Sequence, residues 1–421
     1  MSSSDHLGYA PSNQPVLSLS MTLMLGLWML ALLLSPLYLF SSGVPQPADF
    51  ISVFLLICLY MLGRLRWSNS AHQTLKRLAR FVAYACTVNF IWAVILYGGY
   101  ANSHEIPIDV LLAGIYYLFN LCIATAVASM AFWMGSIFVN WTILAILLSS
   151  MIQAGVAWQL GINEEAGRTT AFFENPNQLA YFAVLNASLL LVLSRSGHAA
   201  RVMNWLVPLG MLALIYLAVA SSSRAGLAGI GLACVLLYID NWLRGLLLTL
   251  VLSGVILSGV FDPVIEGASS RASKSHGFWE ELSYRGYDRM WNHPEYMVFG
   301  AGEGQTERLI SENARVELHS TPGTLLFSYG IVGSLLFALA LWTTFRNRGL
   351  RAMLPLLPVF IYGLTHQGLR QGELWMLLSL IACQFGGPNG VEDIDEDLDD
   401  DDDFDEDDQE QDVHREAAEA S

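Results

Sequence analysis

One histidine stands where it could take part in chemistry. His319 lies in the segment ELHSTPGTLLFSYGIVG, residues 317–333, where a polar loop runs directly into an apolar stretch. Ser320 is a typical N-cap residue and Pro322 suits the first helical turn, so the pattern predicts a helix that starts immediately after the histidine. A neutral imidazole at this boundary can accept a proton from an attacking group. The alternative is a histidine that only occupies an interfacial cap position.

Arginines stand at other boundaries between loops and apolar stretches. Arg224 follows three serines and precedes AGLAGIGL, and Arg168 precedes AFFENPNQLAYF, where Asn175 and Pro176 are expected to begin a helix. A guanidinium group offers a planar fork of donors that fits phosphate. A snorkelling interfacial arginine is the alternative for Arg224, and capping alone would explain the asparagine and the proline.

A polar stretch upstream of the histidine, FWEELSYRGYDRMWNHPEYMVFGAGEG at residues 278–304, carries two more arginines. Its interleaved aromatic and charged residues predict a short helix on a membrane surface. Arg285 and Arg289, four residues apart, would project from one face of that helix and clamp a diphosphate. Glu281 could instead form a surface ion pair with Arg285. The GAGEG segment predicts a turn and not a nucleotide-binding loop, because no strand precedes it.

The elements that would hold these residues are membrane spans. Hydrophobic residues make up 54% of the 421-residue chain, and the mean hydropathy is +0.45. These values and several apolar runs of about 20 residues are typical of polytopic helical membrane proteins. The formal charge of −16 describes the C-terminal tail, since Val391–Ser421 holds 18 of the 37 acidic residues and one arginine. The preceding residues carry a net charge of only +1.

The predicted fold class is all-α, a polytopic transmembrane helical bundle with one long outer loop that contains short helices. Eleven spans, or one re-entrant segment, remain alternatives to twelve because a few apolar runs are short for a bilayer of roughly 30 Å. The twelve predicted spans are about Met21–Phe40, Phe50–Gly63, Phe81–Tyr100, Ile108–Met130, Ser136–Trp158, Gln178–Leu193, Met203–Ala220, Gly226–Ile239, Arg244–Val260, Thr321–Trp342, Met353–Leu364 and Glu373–Phe385.

Basic residues in the short loops predict the orientation of these spans. Lysines and arginines concentrate in the loops after spans 2, 6, 8 and 10, whereas the short loops on the opposite side hold only Arg168, Arg224 and Arg370. Both termini are therefore expected in the cytoplasm. The predicted division is a cytoplasmic segment 1–20, spans 1–9 in 21–260, an outer loop 261–320, spans 10–12 in 321–386 and a disordered acidic tail 387–421.

Two further features narrow the class of protein. The spans lack charged residues near their centres, whereas ion-coupled transporters place such residues there, so transport is disfavoured. No cysteine pair has disulfide or zinc spacing, and neither a metal site nor a cofactor is expected. All five cysteines fall in apolar runs and are expected to serve packing: Cys58, Cys86, Cys122, Cys234 and Cys383.

These residues resemble the superfamily of bacterial O-antigen ligases and O-antigen or exopolysaccharide polymerases. His319 and Ser320, followed after nine residues by Gly330 and then by Gly333, fit the histidine motif of the ligases. The order of supporting features is also similar: NPN opens span 6, SSSRAG opens span 8, and a long outer loop with arginines precedes the histidine. The resemblance covers roughly Ala166–Gly333.

The resemblance implies transfer of a glycan at the periplasmic face of the bacterial inner membrane. The donor would be a glycan on undecaprenyl diphosphate, and the acceptor a hydroxyl group on lipid A core or on another lipid-linked glycan. Membrane lipid and other polysaccharide-assembly proteins would be further partners, and nucleic acid would not. The transfer is expected to be inverting and independent of metal. Whether the enzyme is a ligase or a polymerase stays open.

The resemblance also assigns roles to individual residues. His319 matches the essential histidine and would be the general base. Arg224 matches the arginine after span 7, and Arg285 matches the loop arginine; both are expected in the catalytic site. The expected substrate-binding residues are Arg289, Arg168 and Asn177.

Two other functions are consistent with the sequence. A protein O-oligosaccharyltransferase belongs to the same superfamily, although such enzymes often carry a soluble C-terminal domain. A non-catalytic scaffold or a polysaccharide-export membrane protein would have the same membrane spans but would not catalyse glycan transfer.

Overall fold

The structure is a computed structural model. It describes residues 18–40, 45–99, 108–161, 168–259, 262, 282–283, 285–305, 308–309, 318–346 and 350–383. The chain divides into two compact units, Met1–Gln384 and Phe385–Ser421, and every described residue belongs to the first. Residues 1–17 of the predicted N-terminal segment, Glu281 and the acidic tail lie outside the described residues.

The regular elements of the described residues are helices, which confirms the all-α prediction. Short 3₁₀ turns at Pro294–Tyr296 and Leu354–Leu356 supplement them. The α-helices are α1 (Leu19–Leu34), α2 (Pro47–Met61), α3 (Asn69–Gly99), α4 (Ile108–Met134), α5 (Ser136–Leu160), α6 (Pro176–Arg195), α7 (Arg201–Ala220), α8 (Arg224–Asp240), α9 (Trp242–Leu257), α10 (Arg289–Asn292), α11 (Thr321–Ser328), α12 (Gly330–Phe345), α13 (Leu350–Met353), α14 (Leu357–Gly363) and α15 (Gly372–Cys383).

Five of these helices, α3 to α7, are long and apolar enough to cross a membrane. Shorter apolar helices accompany them: α1, α2, α9, α12, α15 and residues Arg351–Gly363. Large apolar side chains such as Phe54, Phe90, Leu250 and Leu335 are exposed on the helix surfaces. Such surfaces suit contact with lipid. The chain is therefore best described as a multi-pass membrane protein, and the total of about twelve spans stays a prediction.

Helix α6 forms the centre of the bundle. From Leu179 to Ser194 every residue of this helix is buried. A helix that is apolar on all sides is stable only when other helices surround it, and α7, α8, α14 and α15 pack around α6. The side chain of Asn175 caps α6 by accepting a hydrogen bond from the Asn177 amide at 2.8 Å, and Pro176 occupies the first turn. This confirms the predicted start of the helix.

Arginines from three of the loops predicted as basic lie at one end of the bundle. Arg195, at the end of α6, pairs with Asp240 and donates to the carbonyl oxygen of Arg351 at 3.1 Å. Arg64 lies over the ring of Trp133, 4.9 Å from its centroid, at the end of α4. These residues gather at the opposite end of α6 from Asn175. That this end faces the cytoplasm remains a prediction.

The predicted loop between spans 2 and 3 is shorter than expected. Helix α3 begins at Asn69 and runs for 31 residues, so Lys76, Arg77 and Arg80 lie within the helix and not in the loop. The segment HQTLKRLAR is rich in good helix formers and contains neither proline nor glycine, so the helix extends past the apolar stretch. The prediction took the start of the apolar stretch as the start of the helix, and it was therefore wrong at this end of α3.

The predicted span Thr321–Trp342 is also corrected, because it is broken into α11 and α12. The break falls at Tyr329, and Gly330 has a φ of +66°. The loop preceding the histidine packs against the break: the amide of Ile331 donates to the carbonyl oxygen of Met297 at 2.8 Å. Backbone groups that an unbroken helix would pair internally are thus paired with another segment.

The backbone of the loop also pairs with the end of α11. The amides of Ala301 and Gly302 each donate at 2.9 Å, to the carbonyl oxygens of Phe327 and Ser328. Irregular backbone is tolerated deep in a membrane protein when protein buries it and pairs its polar groups. The predicted glycine-rich turn is confirmed, and it is built into the helix bundle.

We expect Gly330→Ala to destabilise the fold. The left-handed conformation costs a residue with a side chain about 1–2 kcal/mol, and a Cβ on Gly330 would lie 2.2 Å from the carbonyl oxygen of Val298. The melting temperature in detergent should therefore fall clearly. Gly254→Ala in α9 is the matched control, because a Cβ there would meet nothing within 4 Å. If Gly330→Ala and Gly254→Ala had the same melting temperature, the conclusion that the break requires a glycine at position 330 would be wrong.

Candidate functional site

A cavity of about 320 Å³ lies at the end of the bundle where α6, α11 and α15 begin. Its wall combines aromatic rings with polar and ionisable side chains. Six of the polar residues that line it are Asp49, Asn177, His319, His366, Arg370 and Glu373. A concave site with a few convergent polar groups is the usual form of a substrate pocket.

His319 is held on this wall by the helix that follows it. Its own amide donates to the carbonyl oxygen of Arg285 at 3.2 Å. The Ser320 hydroxyl accepts from the amide of Gly323 at 3.1 Å and caps α11, with Pro322 in the first turn. The predicted helix start is confirmed, and it places the half-buried imidazole at the cavity.

The next residue along the chain joins this segment to the loop between α14 and α15. The Thr321 hydroxyl donates to the carbonyl oxygen of His366 at 3.1 Å and accepts from the amide of Gly368 at 3.0 Å. The guanidinium of Arg285 donates to the carbonyl oxygen of Thr365 in the same loop. Three segments distant in sequence therefore meet at His319.

His366 is a site residue that the sequence reasoning missed. It lines the cavity and stacks on Tyr362 with 4.7 Å between ring centroids. Burial, with the positive fields of Arg285, His319 and Arg168, lowers the pKa of His366 to about 3. The imidazole is therefore neutral at neutral pH and can accept a hydrogen bond. No motif marks this histidine; a polar THQ at the end of an apolar run was the available signal.

Arg168 and Asn177, both predicted to bind substrate, are neighbours in the structure. The Arg168 side chain donates to the carbonyl oxygen of Ser221 at 2.8 Å and to the amide oxygen of Asn177 at 2.7 Å. Asn177 lines the cavity, and Arg168 stands immediately behind it. We use the name basic cluster for Arg168, Arg285, His319 and His366.

Arg224 occupies a different position. It is the first residue of α8, its side chain is exposed, and the described residues that line the cavity do not include it. The preceding Ser223 forms a side-chain hydrogen bond with Tyr362 of the cavity wall. Arg224 therefore stands near the site without contributing to its wall.

The expected arginine pair on one helical face does not form. Arg285 lies in a turn, and α10 begins only at Arg289. The two side chains diverge: Arg285 reaches toward the loop before His366, whereas Arg289 is 1% exposed beside a second, much smaller pocket near Glu303. Gly286, with a φ of +78°, ends any regular helical register between them.

Glu303 is the second residue that sequence reasoning missed. Its buried carboxylate accepts hydrogen bonds from the hydroxyls of Tyr117 and Tyr329, the latter at 2.6 Å. It also accepts from Gln367 at 2.9 Å and from Nε of Arg370 at 2.7 Å. A buried charge is tolerated only when it is paired and hydrogen-bonded in this way. Arg370 in turn reaches the cavity wall.

The glycines around Glu303 explain how a carboxylate reaches this depth. Gly302 and Gly304 have φ values of +71° and +85°. A Cβ on Gly304 would lie 2.9 Å from the amide nitrogen of Val110 in α4. The turn can approach α4 closely only because it lacks side chains there. A lone acidic residue between turn glycines was the signal in the sequence.

No curated protein and no protein-family model matches this chain. Within the described ranges, no group of three or more His, Cys, Asp or Glu side chains could hold a metal ion.

The neutral state of His366 predicts a dependence of stability on pH. Its pKa is about 3 in the fold against 6.5 in an unfolded chain, so the unfolded state binds more protons between these values. Stability must therefore fall as the pH drops below about 6.5, by about 1–2 kcal/mol at pH 5. Melting curves in detergent at pH 7.5 and pH 5 should show that His366→Gln loses part of this dependence.

His72→Gln is the matched control for that measurement, since the exposed His72 ring accepts a hydrogen bond from Trp67 at the far end of the bundle. It should retain the full dependence. An identical pH response of wild type and His366→Gln would show that His366 is accessible to protons in the fold.

Proposed function

We propose that the protein is a membrane glycosyltransferase of the O-antigen ligase or polymerase type. It would transfer a glycan from undecaprenyl diphosphate to a hydroxyl group at the periplasmic face of a bacterial inner membrane. The supporting observation is the basic cluster: His319 and His366 line one cavity, and two arginines stand behind its wall. Arg168 donates to Asn177 of the wall, and Arg285 donates to the carbonyl oxygen of Thr365 beside His366.

The charge distribution suits a diphosphate ligand. Two guanidinium groups, those of Arg285 and Arg168, act on His366 and favour an anion. Helices α6 and α11 begin at the cavity, and the N-terminus of a helix also attracts anions. Arginine binds phosphate through paired donors. A lipid diphosphate at this end of the bundle would keep its polyprenyl chain in the bilayer.

The proposed reaction is a single displacement at the anomeric carbon. The oxygen of the acceptor hydroxyl forms a bond to that carbon while the bond to the diphosphate breaks. The electron pair leaves with the diphosphate, and His319 takes the proton of the hydroxyl. The displacement inverts the anomeric configuration.

The residues of the basic cluster have different roles in this reaction. Arg168 and Arg285 stabilise negative charge on the leaving diphosphate, in place of a metal ion. Arg285 also fixes the backbone of His319 through its carbonyl oxygen. Arg224, exposed nearby, would meet the donor as it approaches. Arg289 is too buried for donor contact, so we assign it to the support of the Glu303 turn.

The proposal includes a topology. About twelve spans would place the cavity at the periplasmic surface, with the basic loops and both termini in the cytoplasm. The end of the bundle with Arg195 and Arg351 would then face inward. A protein acceptor or an export role without catalysis would give different results in the following experiment.

We expect His319→Ala to fold normally and lose transfer. The side chain is half-buried, and the substitution keeps the backbone amide that bonds to Arg285, so the melting temperature should change little. Loss of a general base costs about 10²-fold or more in rate. The assay uses purified protein with a lipid-linked donor and follows the transferred glycan. His72→Ala is the control histidine.

Two results would count against this assignment. Normal transfer by His319→Ala would show that the proton goes elsewhere, and absence of transfer by wild type from any lipid-linked glycan would favour an export role. Transfer to protein in place of a glycan would identify an oligosaccharyltransferase. Single repeats accumulating on the carrier in cells would indicate a lost polymerase, and long chains a lost ligase.

A further inference from the structure

The far side of the cavity carries two carboxyl groups, and Arg370, which is paired with Glu303, lines the same cavity. Asp49 at the start of α2 and Glu373 at the start of α15 both line it. One Asp49 oxygen accepts from the amide of Gln46 at 2.7 Å, and the Glu373 carboxyl forms a hydrogen bond with Ser35. Tyr38 lines the same side. We use the name carboxyl end for Asp49, Glu373 and Tyr38.

A column of stacked rings connects the carboxyl end to the basic cluster. Tyr181 stacks on Tyr362 with 4.6 Å between centroids, and Tyr362 stacks on His366 with 4.7 Å. The charged neighbour of Tyr181 is Glu373, whereas the charged neighbours of Tyr362 and His366 include Arg285. Along these two ring-to-ring steps, the charged neighbour of the rings therefore changes from Glu373 to Arg285.

The side-chain hydroxyl of Tyr181 is available to a polar partner. The residue is 3% exposed and lines the cavity, and its side-chain hydroxyl forms no hydrogen bond with any residue that the structure describes. Its hydroxyl lies over Gly368, where a Cβ would come within 2.1 Å of the phenolic oxygen. Buried tyrosine hydroxyls normally have a hydrogen-bond partner. A ligand with polar groups would supply one.

We propose that the carboxyl end, together with Tyr181, binds the hydroxyl groups of a neutral sugar, which is the acceptor of the proposed reaction. This inference rests on the proposed function. Carboxyl oxygens accept hydrogen bonds from sugar hydroxyls, and the Tyr181 hydroxyl can donate or accept one. The ring of Trp28, which also lines the cavity, offers an apolar face for the C–H groups of a sugar.

The two ends then orient the two substrates. Carboxyl groups repel a diphosphate, so the donor is directed to the basic cluster. The acceptor sugar occupies the opposite end and presents one hydroxyl toward His319 across the ring column. The site therefore selects a neutral glycan acceptor over a phosphorylated one.

The test measures binding of neutral methyl hexosides (glucoside, galactoside and mannoside) to the purified full chain by saturation-transfer NMR without donor. Wild type should bind at least one of them at millimolar concentration. Tyr181→Phe removes only the hydroxyl and keeps the ring stack, and it should weaken binding by up to about tenfold, the loss of one hydrogen bond. Asp49→Asn should weaken binding to a similar extent and keeps an oxygen for the Gln46 amide.

The controls are Tyr238→Phe in α8 and Glu295→Gln, both on exposed residues away from the cavity. The inference would be overturned if wild type bound no hexoside, or if Tyr181→Phe and Asp49→Asn bound hexoside as tightly as wild type does. Binding of Ca²⁺ or Mg²⁺ that Asp49→Asn abolishes, without hexoside binding, would make the carboxyl end a cation site and also overturn it.

A transfer assay separates this inference from the proposed function. Tyr181→Phe should raise the KM for acceptor by up to about tenfold, the loss of one hydrogen bond, and leave the KM for donor unchanged. Transfer by wild type with an unchanged acceptor KM in the variant would refute only the acceptor site. Hexoside binding that depends on Tyr181, in a protein that transfers nothing, would refute only the proposed reaction.

Discussion

The arrangement of the site depends on the carboxylate of Glu303. This group enters a bundle whose apolar interior disfavours charge, and its burial is offset by two tyrosine hydroxyls, an amide and a guanidinium. Those partners come from α4, from the break between α11 and α12, and from the loop before α15. One buried carboxylate thus fixes three segments relative to each other and holds Arg370 at the cavity wall.

This constraint explains why the helix after His319 is broken. The glycine-rich turn that carries Glu303 needs backbone partners, and the groups freed at Gly330 provide them. The short helix α11 can then begin at the cavity, where Thr321 ties His319 to the loop of His366. The broken helix, the buried turn and the basic cluster are parts of one arrangement that brings the members of the basic cluster together at the cavity.

Local signals in the sequence predicted part of this arrangement. Ser320 and Asn175 cap helices because their side chains reach amides two or three residues away, and such contacts can be read from neighbouring letters. The break at Gly330, the divergence of Arg285 from Arg289, and the burial of Glu303 depend on contacts between segments distant in sequence. His366 lacked any motif, and its role follows only from its place beside Arg285 and His319. Periodicity therefore predicted the helices, but it could not predict which loops meet.

The central claim is that the basic cluster binds a diphosphate, and titration calorimetry with farnesyl diphosphate tests it directly. Saturable binding by wild type, weakened at least about tenfold in Arg168→Gln and Arg285→Gln, is the expected result, because each variant removes a charge and a planar fork of donors. Arg201→Gln is the control, since Arg201 is exposed at the opposite end of the bundle. The account would be contradicted if wild type and the three variants bound farnesyl diphosphate with equal affinity. It would also be contradicted if wild type bound farnesol as tightly as farnesyl diphosphate.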